Sequence, residues 1–537
     1  MSTSSLSHRT NRRQFLIGSA AAGIVASLAA CAPEGTGTSN SGGSNGEANA
    51  EGTIKAAISY ELGTNGYDPM TTSAALTVAV NWHTMEGLTE LDPVTREPYA
   101  ALAQELPDST ESRVEVALRP DAVFHNGEPV TAKDVVYSFE RVMDPENASL
   151  YAAFIPFIDS VEEVDDTTVA FVLNTPTALL AERLSTIKIV PQAAVKDMGA
   201  EAFDANPVGS GPWRMTENGA SGSTIVMERF DDYNGPRPAK AARMEWQIIA
   251  DASTRTNALQ SNSVQAIDSV PYLSVDQLKN SHDVESVQGF GLLFAMFNNS
   301  KDNPFNDRRN RQAFLYAIDM KQVIDNGLSG QAEAATCFVQ KDHPNYREAS
   351  TVYSHDPDKA KKLFEETGLK DFRLMVTDHD WVQQVTPIIQ ESLKDAGVEV
   401  SFDQRKSADV YNTIDGDAKA YDVVLAPGDP SVFGNDPDLL MSWWYAADTW
   451  TDQRMHWKGS ESYDQVQELL EKSLSATDTS AQEDAWGELF DLLSEEIPLY
   501  PLFHRSVPTA WNSETLTDFK PISLTGLSFV NVGTTEG

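Results

Sequence analysis

The chain has 537 residues, 41% of them hydrophobic and 22% charged, with 40 basic against 79 acidic side chains and a formal net charge of -39. That hydrophobic content excludes disorder throughout, the length allows about three domains at roughly 150 residues each, and the acidic excess excludes a surface that attracts nucleic acid or anionic lipid. Two cysteines in so long a chain cannot build a disulfide framework.

Phe15 to Ala30 is an uncharged, alanine-rich stretch behind Arg12 and Arg13. It is shorter than the roughly 20 residues of a spanning helix, so residues 1–30 are read as a signal peptide. Asn11-Arg12-Arg13-Gln14-Phe15-Leu16 resembles the twin-arginine export signal, although a general secretory signal has much the same composition. Leu28-Ala29-Ala30-Cys31 resembles a lipobox, which implies that the Cys31 thiol accepts a diacylglycerol. Residues 31–52, rich in Gly, Ser, Asn and Thr, cannot bury a core and are read as a lipidated flexible tether spanning about 25 Å.

From Thr53 onward strand-like and helix-like segments alternate without a fixed repeat, which predicts an α/β body. Thr131-Ala132-Lys133-Asp134 reads as a capping box, followed by Val135, Val136, Phe139 and Val142 on one helical face and by Pro145 as a stop. Val161 to Leu173 reads as a hairpin turning at Asp165-Asp166. Asp356 caps a helix with Pro357 in its first turn and Gly368 at its end. Residues 371–402 read as a β-α-β unit, hence a parallel strand pair, with Pro387 expected to bend its helix or mark the true start.

Four segments, in order over almost the whole chain after the tether, resemble the extracellular solute-binding proteins of the dipeptide, oligopeptide and nickel class, which deliver ligands to ABC importers. They are Arg119 to Arg141, containing Phe124-His125-Asn126-Gly127-Glu128-Pro129-Val130-Thr131-Ala132; Pro207 to Trp213 with the stretch Tyr233 to Ile267; Phe297-Asn298 with Arg311 to Asp319; and Ile497-Pro498-Leu499-Tyr500-Pro501. Asn126 stands where an aspartate is commoner in that family. The resemblance implies an α/β, periplasmic-binding-protein-like class II fold of cluster C type, with two hinged lobes and a subdomain inserted in the first. Lobe I is then 52–75 with 210–288 and 505–537, the insert 76–209, and lobe II 289–504. It further implies a binder and not an enzyme, working as a monomer with a permease and, through it, an ATPase, and needing no cofactor.

The family places its amine-holding aspartate after a strand end, which makes Asp429 the first candidate and Asp436 the second; either carboxylate also suits a turn or an N-cap. Phe433, Trp443 and Trp444 are candidate aromatic walls, with core packing as the alternative. Asn65, Tyr67, Asn81, Trp82 and, on the other side, His379 are further candidates. The dipeptide branch holds the ligand carboxylate with an arginine that is missing from Val376 to Trp381, which points to longer peptides or another amine-bearing solute.

Other classes are served less well. No Gly-x-Ser-x-Gly, His-Glu-x-x-His, phosphate-loop or EF-hand pattern supports a hydrolase such as a glycosidase or peptidase. A nickel or metallophore binder would draw on histidines, but His343, His355 and His379 are far apart in sequence. An adhesin or sensor lipoprotein of the same fold is the third alternative. Cys337 is expected as a buried free thiol.

Overall fold

Valine, alanine and leucine dominate the runs Val423-Val424-Leu425-Ala426 and Leu292-Leu293-Phe294-Ala295, and continuous apolar runs of this kind belong to strands covered on both faces. The computed structural model describes residues 47–62, 66–107, 111–476 and 478–537. The signal peptide, the lipobox with Cys31 and most of the tether lie outside the described residues, as does Asn65. The last tether residues are tied to the body: Asn49 N donates to Thr534 O at 2.6 Å, and Arg229 donates to Ala50 O.

An 11-stranded mixed sheet organises the body. Its strands are β1 (Thr53–Ile58), β2 (Trp213–Asn218), β3 (Thr224–Arg229), β4 (Arg243–Ile248), β5 (Ala266–Ile267), β6 (Asp283–Phe297), β7 (Ala332–Ala334), β8 (Asp371–Thr377), β9 (Glu399–Arg405), β10 (Val423–Gly428) and β11 (Leu499–Trp511). The order is β9-β8-β10-β6-β11-β5-β1-β4-β3-β2, with β7 pairing off the path to β11. The sheet therefore has two halves, joined by the long antiparallel pair β6 and β11. Its first half is β5, β1, β4, β3 and β2; its second is β9, β8 and β10.

Register along the joining pair shifts between Gln288 and Leu292 and again between Leu293 and Phe294. Pro501, which has no N–H to give a ladder, sits at the second shift. Gly289 sits in the first, where a Cβ would come within 2.0 Å of Ser523 O, so only glycine lets the backbones approach there.

The long segment between β1 and β2 folds apart from this sheet. It carries α1 (Ala75–Thr84), the hairpin Thr89–Leu91 with Pro98–Ala100, a three-stranded sheet of Arg113–Ala117, Ile158–Asp165 and Thr168–Leu173, α2 (Ala132–Met143) and the short α3 (Leu180–Arg183). Asp134 Oδ2 accepts from Thr131 N at 3.0 Å and from Thr131 Oγ1 at 2.7 Å, which fixes the start of α2, and Val135, Phe139 and Val142 are buried beneath it. The hairpin expected over 161–173 forms with register Asp165 opposite Thr168.

In the second half α4 (Pro357–Thr367) starts where Asp356 Oδ1 accepts from Lys359 N at 2.9 Å and ends at Gly368 with φ 78°. Strands β8 and β9 are parallel and flank α5 (Asp380–Asp395) in sequence, as expected. Pro387 lies inside α5 and does not begin it. The Thr386 hydroxyl donates to Val382 O at 2.7 Å within the same stretch, giving a carbonyl near the proline a second donor.

Candidate functional site

Strand β10 is buried between β8 and β6 and ends at Gly428, where a Cβ would lie 2.5 Å from the Trp444 ring. The chain turns there, and Asp429 emerges at the junction of the two halves. Its Oδ2 accepts from Thr525 N at 2.8 Å, a group of the C-terminal segment beyond β11, while Oδ1 accepts from Ser431 Oγ.

Arg505 lies in β11 next to this junction and is 4% exposed. Its guanidinium rests 4.1 Å from the centre of the Trp381 ring, and one nitrogen is 3.5 Å from Tyr60 Oη. The His379 ring is 5.7 Å from that of Tyr60, and its Nδ1 is 3.1 Å from Thr377 Oγ1. Burial pulls the His379 pKa down to about 4, so the ring is neutral at pH 7 and offers one donor and one acceptor.

A cavity of about 50 Å³ opens between the β1–β2 segment and the residues after Asp429, lined by Asn81, Trp82, Arg96, Tyr99, Tyr151 and Phe433 among others. It holds a few waters or one polar group of a solute. Asn81 donates through Nδ2 to Tyr67 O at 2.9 Å, but its buried Oδ1 has no partner. Arg96 donates to Ser431 O, and its buried Nε has no partner either. Lys188 and Glu90 also line the cavity and neutralise each other, Nζ lying 2.5 Å from Oε1. An acceptor and a donor left without partners at one cavity are what a bound polar group satisfies.

Some candidates gather here and others do not. Asn81, Trp82 and Phe433 line the cavity, Asp429 lies at the junction beside it, and His379 faces Tyr60 near Arg505. Asp436 has other work: it caps α6 (Pro437–Tyr445) by accepting from Leu439 N at 2.9 Å, and it pairs with Arg183 at 2.7 Å. Trp444, fully buried among Phe290, Phe294, Phe338 and Trp450, packs the second half. Trp443 stacks on Phe154 with ring centres 5.9 Å apart and meets Phe433, tilted, at 5.0 Å, closing the contact between the β1–β2 segment and α6. Tyr67 is 3% exposed and donates to Asn218 O at 2.7 Å, a packing role in the first half.

Arg505 and Arg96 are the residues that sequence patterns missed. The only available signal was negative, the missing arginine before Trp381; the Trp381 ring is instead covered by the guanidinium of Arg505, far along the chain. The histidines are separately engaged: His343 Nε2 lies 2.8 Å from Asn435 O and His355 Nδ1 3.6 Å from Asp319. Among the described residues no group of three or more His, Cys, Asp or Glu is placed to hold a metal ion, and no helix is long and apolar enough to cross a membrane.

Comparison with known proteins agrees with this architecture. The glutathione-binding protein GsiB of Pectobacterium atrosepticum is 26% identical over 432 residues, 78% of this chain and 82% of that one. The dipeptide-binding protein DppE of Bacillus subtilis is 25% identical over 453 residues, covering 78% and 81%. The crystal structure of a dipeptide-binding protein from Pseudoalteromonas sp. SM9913 with Met-Leu superposes with a TM-score of 0.78 at 18% identity, over 90% of this chain and 100% of that one, and shares its fold. The fold is thus the two-lobed binding-protein fold. The profile of the bacterial extracellular solute-binding proteins, family 5, matches residues 97–464, and this chain belongs to that family.

Proposed function

We propose that this protein captures a peptide or related amine-bearing solute between its lobes and delivers it to the permease of an ABC importer, with Asp429 as the partner of the amine. The observation that carries this reading is the position of Asp429: a carboxylate at the end of a buried strand, at the junction of the halves, bound to the C-terminal segment through Thr525 N. An ammonium group there gains a charge-assisted hydrogen bond away from bulk water. The relatives named for glutathione and dipeptides support the solute class. The lobe limits 52–75 with 210–288 and 505–537, 76–209, and 289–504 belong to the same proposal, supported by the sheet order. So does export behind residues 1–30, with a lipid on Cys31 holding the body at the outer face of the cytoplasmic membrane.

Calorimetry with Ala-Leu and N-acetyl-Ala-Leu tests the amine. The parent binds the free peptide and not the acetylated one, and Asp429→Asn loses about tenfold or more. Equal binding of the two peptides by the parent overturns the assignment. Mass spectrometry of the exported protein reads the acyl group on Cys31 directly.

A further inference from the structure

Among the described residues every arginine has a carboxylate oxygen within 4.0 Å except Arg96 and Arg505. In a chain with 79 acidic against 40 basic side chains, a guanidinium without such a partner is the exception. The two exceptions come from different parts of the fold, and each lies within electrostatic reach of Asp429.

Arg96 stands at the turn of the hairpin Thr89–Leu91 with Pro98–Ala100, in the left-handed region at φ 63°, and reaches the cavity from there. Arg505 comes from β11, where its guanidinium lies over the Trp381 ring and near Tyr60 Oη. The acids near them are engaged elsewhere. Asp92 is held by Arg237 at 2.7 Å and by Thr95 N at 2.8 Å. Asp268 accepts from Ser59 N and Oγ, each at 2.7 Å, and faces Arg255 at 3.7 Å. Glu182 is pushed up to about 7 by burial and by the charge of Asp436, so it carries only part of its charge at neutral pH. Asp429 is thus the carboxylate within electrostatic reach of both guanidiniums that no other arginine holds; Asp268 also feels Arg505, but it faces Arg255.

We infer that the solute carries two anionic groups besides its amine, one held by Arg505 against Trp381 and the other by Arg96 in the cavity lined by Asn81 and Phe433. The inference rests on the proposed role of Asp429 for the amine. A carboxylate on Arg505 gains a planar, forked donor already stacked on an aromatic ring. A carboxylate in the cavity accepts from Arg96 Nε, the donor that now has no partner, and a water between it and Asn81 Oδ1 satisfies that acceptor. The charges then close: two guanidiniums and one aspartate meet two carboxylates and one ammonium.

Calorimetry with the matched dipeptide pairs Glu-Ala and Gln-Ala, and Ala-Glu and Ala-Gln, tests this, because each pair differs only in carboxylate against carboxamide. The parent binds the acidic member of at least one pair about tenfold or more tightly. Arg96→Gln removes that preference and leaves the amide member unchanged, whereas Arg505→Gln weakens both members. Equal affinity within both pairs overturns the inference and leaves the proposed role of Asp429 standing. Glutarate bound as tightly as Glu-Ala overturns the role of Asp429 and leaves the anionic site standing; no binding of any dipeptide overturns both. Urea unfolding of the two variants separates binding from scaffolding: midpoints equal to or above that of the parent support the inference, and lowered midpoints with unchanged affinities overturn it.

Discussion

Arg183 and Asp436, 253 residues apart, form a two-point ion pair out of contact with water: Arg183 Nε lies 3.0 Å from Asp436 Oδ2, Nη2 lies 2.7 Å from Oδ1, and Arg183 is 0% exposed. The same Nη2 is 2.6 Å from Asp438 Oδ1, and Nη1 donates to Phe154 O at 2.6 Å. One guanidinium thus holds the start of α6 against the β1–β2 segment. Breaking a buried pair from one side costs about 3–5 kcal/mol, because the remaining charge is left without a partner. Arg183→Met is expected to lose stability on that scale in urea unfolding.

His83 gives the fold an acid limit. Its ring is fully buried, with Nδ1 2.7 Å from Ala79 O, while Nε2 accepts from Phe529 N at 2.9 Å. Nε2 must therefore be unprotonated, and burial holds the pKa down to about 4, below the ordinary 6.5. The folded pKa is depressed, so the contribution is complete above pH 6.5 and is lost as pH falls toward 4, at no more than about 1.4 kcal/mol per pH unit. His83→Gln keeps an acceptor for Phe529 N but does not titrate. Its stability, measured by urea unfolding from pH 7 to pH 4, is expected to fall less steeply than that of the parent.

Gly428 and Trp444 share a space that takes only one of them at full size. A Cβ on residue 428 would lie 2.5 Å from the indole, and Phe294 is 3.3 Å away on another side. Overpacking of this kind costs about 1–3 kcal/mol. Gly428→Ala is expected to lower the thermal midpoint and to shift the near-ultraviolet circular dichroism of the tryptophans, since the ring must move.

Cys337 is a buried free thiol, and burial pushes its pKa up to about 11. The thiolate is scarce at pH 8 and the sulfur is out of reach, so a thiol reagent reacts at that pH only as the protein unfolds. Its labelling rate against urea concentration is expected to follow the unfolding curve.

Local chemistry made the elements legible. Thr131 with Asp134, Asp356 with Gly368, and the alternation of Phe372, Leu374 and Val376 each fix an element through neighbours in the chain, and each forms where expected. The joining strands were harder to read: β11 contains Pro501 and Pro508, which read as breakers, and β6 contains Gly289 and Gly291. What makes them strands is their pairing with each other across the long stretch of chain between them. The site shows the same division. Asp429 and Asp436 look alike in sequence; Arg183 separates them, and Arg183 lies on a distant helix. Arg96 and Arg505 stand out only once it is known which carboxylates lie near every other arginine.

The path of the large sheet runs unbroken from β9 to β2, which are therefore its two end strands. One of them carries Glu399, Asp403 and Arg405 in seven residues; the other carries Arg214 and Glu217 and has a register shift between Met215 and Glu217. Charges and a bulge are the features that stop a bare ladder from templating a neighbour. Crowded copies of this protein therefore meet, at the two ends of this sheet, rims unsuited to zipping together, which works against fibre growth there.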